Sequence, residues 1–114
     1  MNAKIILGLL AAAVVAFILF RPRGDVTTVD AHRLVANGAL LLDVRTPEEF
    51  SAGHIQGALN IPVQVLEQRM SELGRQDRDI VVYCRSGNRS ARAKQMLNAA
   101  GYASVHDLGA MSAW

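Results

Sequence analysis

The sequence contains a single cysteine, Cys84. An internal disulfide is excluded, and cysteine usage leaves the redox compartment open. No Cys/His pair stands at metal-ligand spacing, and the glycine-rich phosphate-binding motifs are missing, so no metal and no other cofactor is expected. There is no internal repeat, and no low-complexity tract beyond an apolar N-terminal run. Strong net charge is absent as well. The formal charge is +2, but setting aside Lys4, Arg21 and Arg23 leaves nine basic and ten acidic residues over positions 25–114, about −1. Support for a nucleic-acid partner disappears with that subtraction.

Ile5 to Phe20 is an unbroken apolar and glycine run of 16 residues, flanked by Lys4 and by Arg21 and Arg23. As a helix it would rise about 24 Å, slightly short of a hydrocarbon core of about 30 Å. No residue in the run offers a polar face, so residues 5–20 are expected to contact a membrane. Val14-Val15-Ala16 makes a poor cleavage site, which favours an uncleaved anchor over a signal peptide. Lys4 argues for a cytoplasmic N-terminus, whereas Arg21 and Arg23 pull the other way. The expectation is a single-pass, membrane-anchored chain: residues 1–24 are the anchor or signal segment plus a short linker, with Gly24 as a hinge. Residues 25–114 form the domain, on the extracytoplasmic, periplasmic side.

The domain is organised around Ile80-Val81-Val82-Tyr83-Cys84-Arg85-Ser86-Gly87-Asn88-Arg89-Ser90. An apolar run without alternation predicts a buried parallel strand, and Cys84 arrives where that strand should stop. Ala93, Met96, Leu97 and Ala100 recur at helical spacing behind it, so the segment from Cys84 to Arg89 joins a strand end to a helix start. Backbone N–H groups at such a junction lack internal partners and favour anions. A thiolate is one, and Arg85 and Arg89 in the same loop should raise the thiolate fraction at neutral pH. The same donors would hold a small oxyanion beside the sulfur, and Gly87 allows the turn. Arg85, Arg89, Arg92 and Lys94 fall within ten residues without an acid, a local positive focus. An inert buried thiol is the usual fate of a lone cysteine, but these neighbours favour chemistry. Ser86, Asn88 and Ser90 also suit loop and capping duty.

Short apolar runs alternate with helical patterns from Asp25 onward, the signature of a parallel sheet covered by helices. Val26 to Val29 reads as an edge strand, and Asp30 as the cap of a helix carrying Leu34 and Val35 that stops at Asn37-Gly38. Leu40-Leu41-Leu42 is a buried strand. Thr46-Pro47-Glu48-Glu49 is a cap, a proline at the first helical position and acids in the first turn. A turn at Gly53 to Gly57 leads to a strand near Ala58 to Ile61, and Val63, Leu66, Met70 and Leu73 mark a helix. Ser104 to His106 is the last strand. Ligands in open parallel sheets sit at the strand C-terminal edge, which brings Asp43 and Arg45 near the Cys84 loop, with a structural ion pair as the alternative. His54 and His106 read as structural hydrogen-bonders, and His32 as surface.

Three ordered motifs carry a resemblance: Leu42 to Phe50 (LDVRTPEEF), Gly53 to Pro62 (GHIQGALNIP) and Val82 to Ser90 (VYCRSGNRS). Together they closely resemble a single-domain rhodanese across essentially everything after the apolar segment. The resemblance implies a three-layer α/β fold, with a central, mostly parallel five-stranded sheet flanked by helices and here preceded by one N-terminal apolar helix. It implies that Cys84 carries sulfur and that Arg85, Ser86, Gly87, Asn88 and Arg89 form the anion-cradling loop, with Asp43, Arg45 and Ser90 in support. The implied reaction is ping-pong: the thiolate takes sulfane sulfur from thiosulfate or a polysulfide, sulfite leaves thiosulfate, and the persulfide passes its sulfur to cyanide or to a small-molecule or protein thiol.

Two alternatives stand beside this. A Cdc25-like phosphatase or arsenate reductase resembles the same fold, but five intervening residues would put its arginine at position 90, which is Ser90; here four residues separate Cys84 from Arg89. The other is a membrane-tethered persulfide-relay or binding module. Gly109 to Trp114 resembles the family's closing segment with one glycine where two are usual, and the sequence ends at a tryptophan expected to pack in the core. The family's final helix is missing, which should loosen packing near the first strand.

Overall fold

The computed structural model describes residues 2–20 and 24–114, with side chains for 2–15 and from 24 onward. The chain runs through α1 (Ala3–Phe20), α2 (Thr28–Ala36), β1 (Leu40–Asp43), α3 (Pro47–Ala52), β2 (Leu59–Asn60), two 3-10 segments (Val63–Val65 and Glu67–Leu73), β3 (Ile80–Cys84), α4 (Asn88–Ala99), β4 (Val105–Ala110) and a last 3-10 turn, Met111–Ala113.

The four strands lie side by side in the order β2-β1-β3-β4, and every pairing is parallel. β3 shows why its run has no polar alternation. Ile80, Val82 and Cys84 face one core with Leu97 and Ala93 of α4, while Val81 and Tyr83 face the other with Ala31 of α2. Both faces are covered, so both parities must be apolar. Fully burying each such side chain contributes about 1.5–3 kcal/mol, which makes this strand the axis of the domain. From β1 the chain moves to β2 on one side, and from β3 to β4 on the other. The loops leaving β1 and β3 therefore diverge, opening a crevice at their C-terminal ends.

The sheet has four strands among the described residues, one fewer than expected, because Val26 to Val29 is not a strand. Thr27 accepts a hydrogen bond from the Asp30 N–H and caps α2 at once, leaving no length for a ladder, and Asp30 stands inside the first turn. What precedes α2 instead docks on β4. The Asp25 and Val26 N–H groups donate to the Asp107 carbonyl at 2.7 and 3.3 Å, and Asp25 Oδ1 accepts from the Asp107 N–H at 2.8 Å. Gly24 is no hinge here, since a Cβ would collide with the Asp107 and Leu108 carbonyls. The expected helix through Val63 and Leu73 is two 3-10 segments, with Arg69 out of helical conformation at φ −118° and ψ 16°. β4 runs four residues past His106, and Leu108 is an extra residue opposite the Val82–Tyr83 step. Gly109, at φ +84°, supplies the left-handed turn of that bulge.

The membrane expectation is overturned. Among the described residues no helix is long and apolar enough to cross a membrane. The 18 residues of α1 rise about 27 Å with Lys4 among them, less than a hydrocarbon core of about 30 Å. A single-pass anchor and the periplasmic placement derived from it both fall. Arg21 and Arg23, read as the positive flank, lie outside the described residues.

Candidate functional site

Both loops of the crevice are short. After β1, Asp43 and Arg45 are almost wholly buried, and the guanidinium is bound along its edge: Arg45 Nε donates to Asp43 Oδ1 at 3.0 Å and Nη2 to Oδ2 at 2.7 Å. The Arg45 N–H adds a bond to Oδ1 at 2.9 Å, and Nη2 also donates to the Gly53 carbonyl at 2.7 Å. Hydrogen bonding to Asp43 holds Arg45 above the ordinary arginine value. The guanidinium lies 5.7 Å from the Tyr83 ring centre. Burial pushes the Tyr83 hydroxyl up to about 12, so it stays neutral while accepting the Ile55 N–H at 3.2 Å. Asp43 and Arg45 thus form an internal staple between β1, β3 and the Gly53 turn.

After β3 only Arg85, Ser86 and Gly87 separate Cys84 from α4. Cys84 is fully buried, on the face covered by α4. Gly87, at φ +108°, occupies the left-handed region and turns its N–H back on the sulfur, donating to Sγ at 3.0 Å. Ser90 Oγ lies 3.5 Å from Sγ and donates to the Gly87 carbonyl at 3.1 Å, bracing the same turn. α4 has neither a side-chain cap nor an acid in its first turn, so no carboxylate competes there for its free amides. Arg85, Ser86 and Asn88 are exposed.

Arg89 has a partner that the sequence does not signal. Its Nη1 and Nη2 donate to Glu49 Oε1 and Oε2 at 2.6 and 2.9 Å, a bidentate pair with α3. That bond raises Arg89 above its ordinary value, with Cys84 adding to the rise and Arg45 opposing it. The Arg89 guanidinium holds the Glu49 carboxyl down to about 2. Glu49 was legible only as a helix-start acid; the expected cap is present in full, with the Glu49 N–H bonded to Thr46 Oγ1 and the Thr46 N–H to Glu49 Oε1.

A second buried group lies on the last strand. Asp107 is a buried carboxylate on β4 that accepts the Gly109 N–H at 2.8 Å, and burial pushes it above the ordinary aspartate value. Only a carboxyl within an otherwise apolar strand pattern could have flagged it. The histidines are placed as hydrogen-bonders: His54 Nδ1 lies 2.8 Å from the Phe50 carbonyl, His106 Nε2 3.0 Å from Asp79, and His32 stacks on Trp114 at 3.7 Å. Trp114 is partly buried against the second core.

A profile of the rhodanese-like domain matches residues 27–114. Thiosulfate sulfurtransferase 16, chloroplastic, of Arabidopsis thaliana is 42% identical over 107 residues, covering 82% of this chain and 88% of the relative. Thiosulfate sulfurtransferase PspE of Escherichia coli is 38% identical over 71 residues, 61% of this chain and 68% of the relative. Among solved structures, a human single-domain sulfurtransferase superposes with a TM-score of 0.66 at 32% identity, over 78% of this chain and 89% of the other. A rhodanese with anions from Escherichia coli gives 0.64 at 32% identity, over 68% and 92%.

Proposed function

This chain belongs to the rhodanese-like domain family, and from that membership we propose that it is a sulfurtransferase that carries sulfane sulfur as a persulfide on Cys84. Relatives bearing the name thiosulfate sulfurtransferase support sulfurtransferase activity in general. The observation that carries the finer reading is the Gly87 N–H aimed at Cys84 Sγ from 3.0 Å, at the point where the sheet's connections diverge.

On this geometry the proposed reaction is a ping-pong transfer of sulfane sulfur. Cys84 thiolate attacks the outer sulfur of thiosulfate, the S–S bond breaks, and sulfite departs with the bonding pair. Cysteine then holds a persulfide anion, whose terminal sulfur extends into the turn where the amides of residues 85–89 offer donors. Exposed Arg85 meets the donor's oxygens, and Ser86 and Asn88 line the same rim. Ser90 holds the Gly87 peptide in the orientation that serves sulfur. An acceptor, cyanide or a small-molecule or protein thiol, attacks the terminal sulfur and returns the thiolate. No oxidant or reductant is consumed. Burial of Sγ shields the persulfide from bulk water between the half-reactions. Asp43 and Arg45 act at a distance, fixing the floor of the crevice.

Intact mass of the full chain tests this. Incubation with thiosulfate should add one sulfur atom, about 32 Da, cyanide should remove it, and Cys84→Ser should show neither change. No mass gain from thiosulfate or polysulfide would overturn the reading and direct attention to phosphatase and arsenate assays, then to a binding module.

A further inference from the structure

Arg85 and Arg89 look equivalent in the sequence and are not equivalent in the fold. Arg85 is exposed and forms no ion pair among the described residues. Arg89 is partly buried, and both terminal nitrogens of its guanidinium are engaged by Glu49. The Glu49 carboxylate is itself fixed, because Oε1 also accepts the Thr46 N–H at 3.1 Å in the cap of α3. Held down to about 2 by Arg89, it is ionised at every pH at which sulfur chemistry would be assayed. The two arginines and one glutamate around the thiol therefore sum to one positive charge, where the loop sequence alone would give two.

We propose that Glu49 sets the charge selectivity of the Cys84 site, weakening its hold on dianionic sulfur donors such as thiosulfate more than on donors with a single negative charge, such as an organic persulfide. The proposal rests on the sulfurtransferase reading and deepens it. The Glu49 carboxylate opposes a dianion twice as strongly as a monoanion, since the Coulomb term scales with ligand charge. The step balances for either donor. Cys84 thiolate forms a bond to the outer sulfur of R–S–S⁻, the original S–S bond breaks, and RS⁻ leaves with the electron pair, so two unit charges enter and two leave. With thiosulfate three enter and three leave, and all three must be gathered over one net positive charge. Glu49 is a positioning residue that acts through its field and through its hold on Arg89.

The test separates field from fold. Cys84 is the sole cysteine, so its alkylation rate by anionic iodoacetate divided by that by neutral iodoacetamide reports the potential at Sγ, and access to the buried thiol cancels in the ratio. Glu49→Gln removes the charge but keeps a capping-box side chain. The ratio should rise about threefold to tenfold, and the rise should shrink as salt is added. Thr46→Ala damages the cap but leaves the carboxylate, so the melting temperature should fall with the ratio unchanged. A ratio that stays constant or falls in Glu49→Gln overturns the proposal. In turnover, Glu49→Gln should lower KM for thiosulfate relative to KM for a singly charged organic persulfide, with kcat moving less; equal shifts for both donors overturn it too. Wild-type protein that takes sulfur from neither donor sinks the sulfurtransferase reading and the donor assignment with it, while the alkylation ratio still decides whether Glu49 sets the field at Sγ.

Discussion

After β1 the chain turns through Asp43, Val44 and Arg45; after β3 it turns through Cys84, Arg85, Ser86 and Gly87 at the same sheet edge. In the first loop the charges consume each other. Asp43 takes three N–H donors from Arg45, the guanidinium spends a further one on Gly53, and both side chains are buried. In the second loop donors outnumber acceptors: an amide points at a sulfur, a helix start is uncapped, and exposed Arg85 forms no ion pair among the described residues. The difference teaches what separates a staple from a site. Both use buried polar groups at strand ends, and the site is the one whose hydrogen-bonding capacity is not spent internally.

Four changes would break or sharpen that contrast. Cys84→Ser should reduce sulfur transfer at least about a thousandfold while leaving the melting temperature nearly unchanged, measured by turnover and thermal denaturation together. Residual transfer above a hundredth of wild type would move the chemistry elsewhere. Asp43→Ala should do the reverse, stranding a buried guanidinium at a cost of about 3–5 kcal/mol in denaturant unfolding. A loss under about 1 kcal/mol would mean that Arg45 is not held as a staple.

Gly87→Ala forces a side chain into the left-handed region at a cost of about 1–2 kcal/mol. Transfer per folded molecule should fall further than that, because the same peptide supplies the donor to Sγ; equal losses would reduce Gly87 to a turn residue. The smallest effect is the pH dependence of the Glu49–Arg89 pair. Arg89 lowers the Glu49 carboxyl from its ordinary 4.5 to about 2. A depressed acid contributes stability that is complete above its unfolded value and lost as pH falls through its folded one. Acid titration should show that loss between about pH 4.5 and pH 2 in wild type and not in Glu49→Gln. Identical curves would mean that the pair adds nothing to the fold.

Local signals were legible wherever the causes were local. The apolar run at Ile80 ended in a strand, Gly87 turned the chain, and Thr46-Pro47 began a helix with the cap its spacing required. Val26 to Val29 misled because β-branched residues favour a strand, while the hydroxyl of Thr27 caps a helix from within the same stretch. Val63 to Leu73 misled for another reason: apolar spacings of three and four suit a helix, and nothing in them distinguishes an α-helix from consecutive 3-10 turns.

The sequence by itself determined the buried strands at Leu40 and Ile80, the helix start at Thr46-Pro47, the position of the thiol at a strand end and the motif pattern that places the chain in its family. Those follow from periodicity, turn chemistry and residue spacing, which are properties of neighbours. Only the tertiary structure decided which of the two loop arginines is paired with a carboxylate. Arg89 and Glu49 stand 40 residues apart, and a pair at that separation exists only because α3 and α4 begin at the same sheet edge. It likewise decided that Asp107 is buried and that Gly24 to Val26 lies against β4, since burial belongs to the packing of distant segments and not to any one of them.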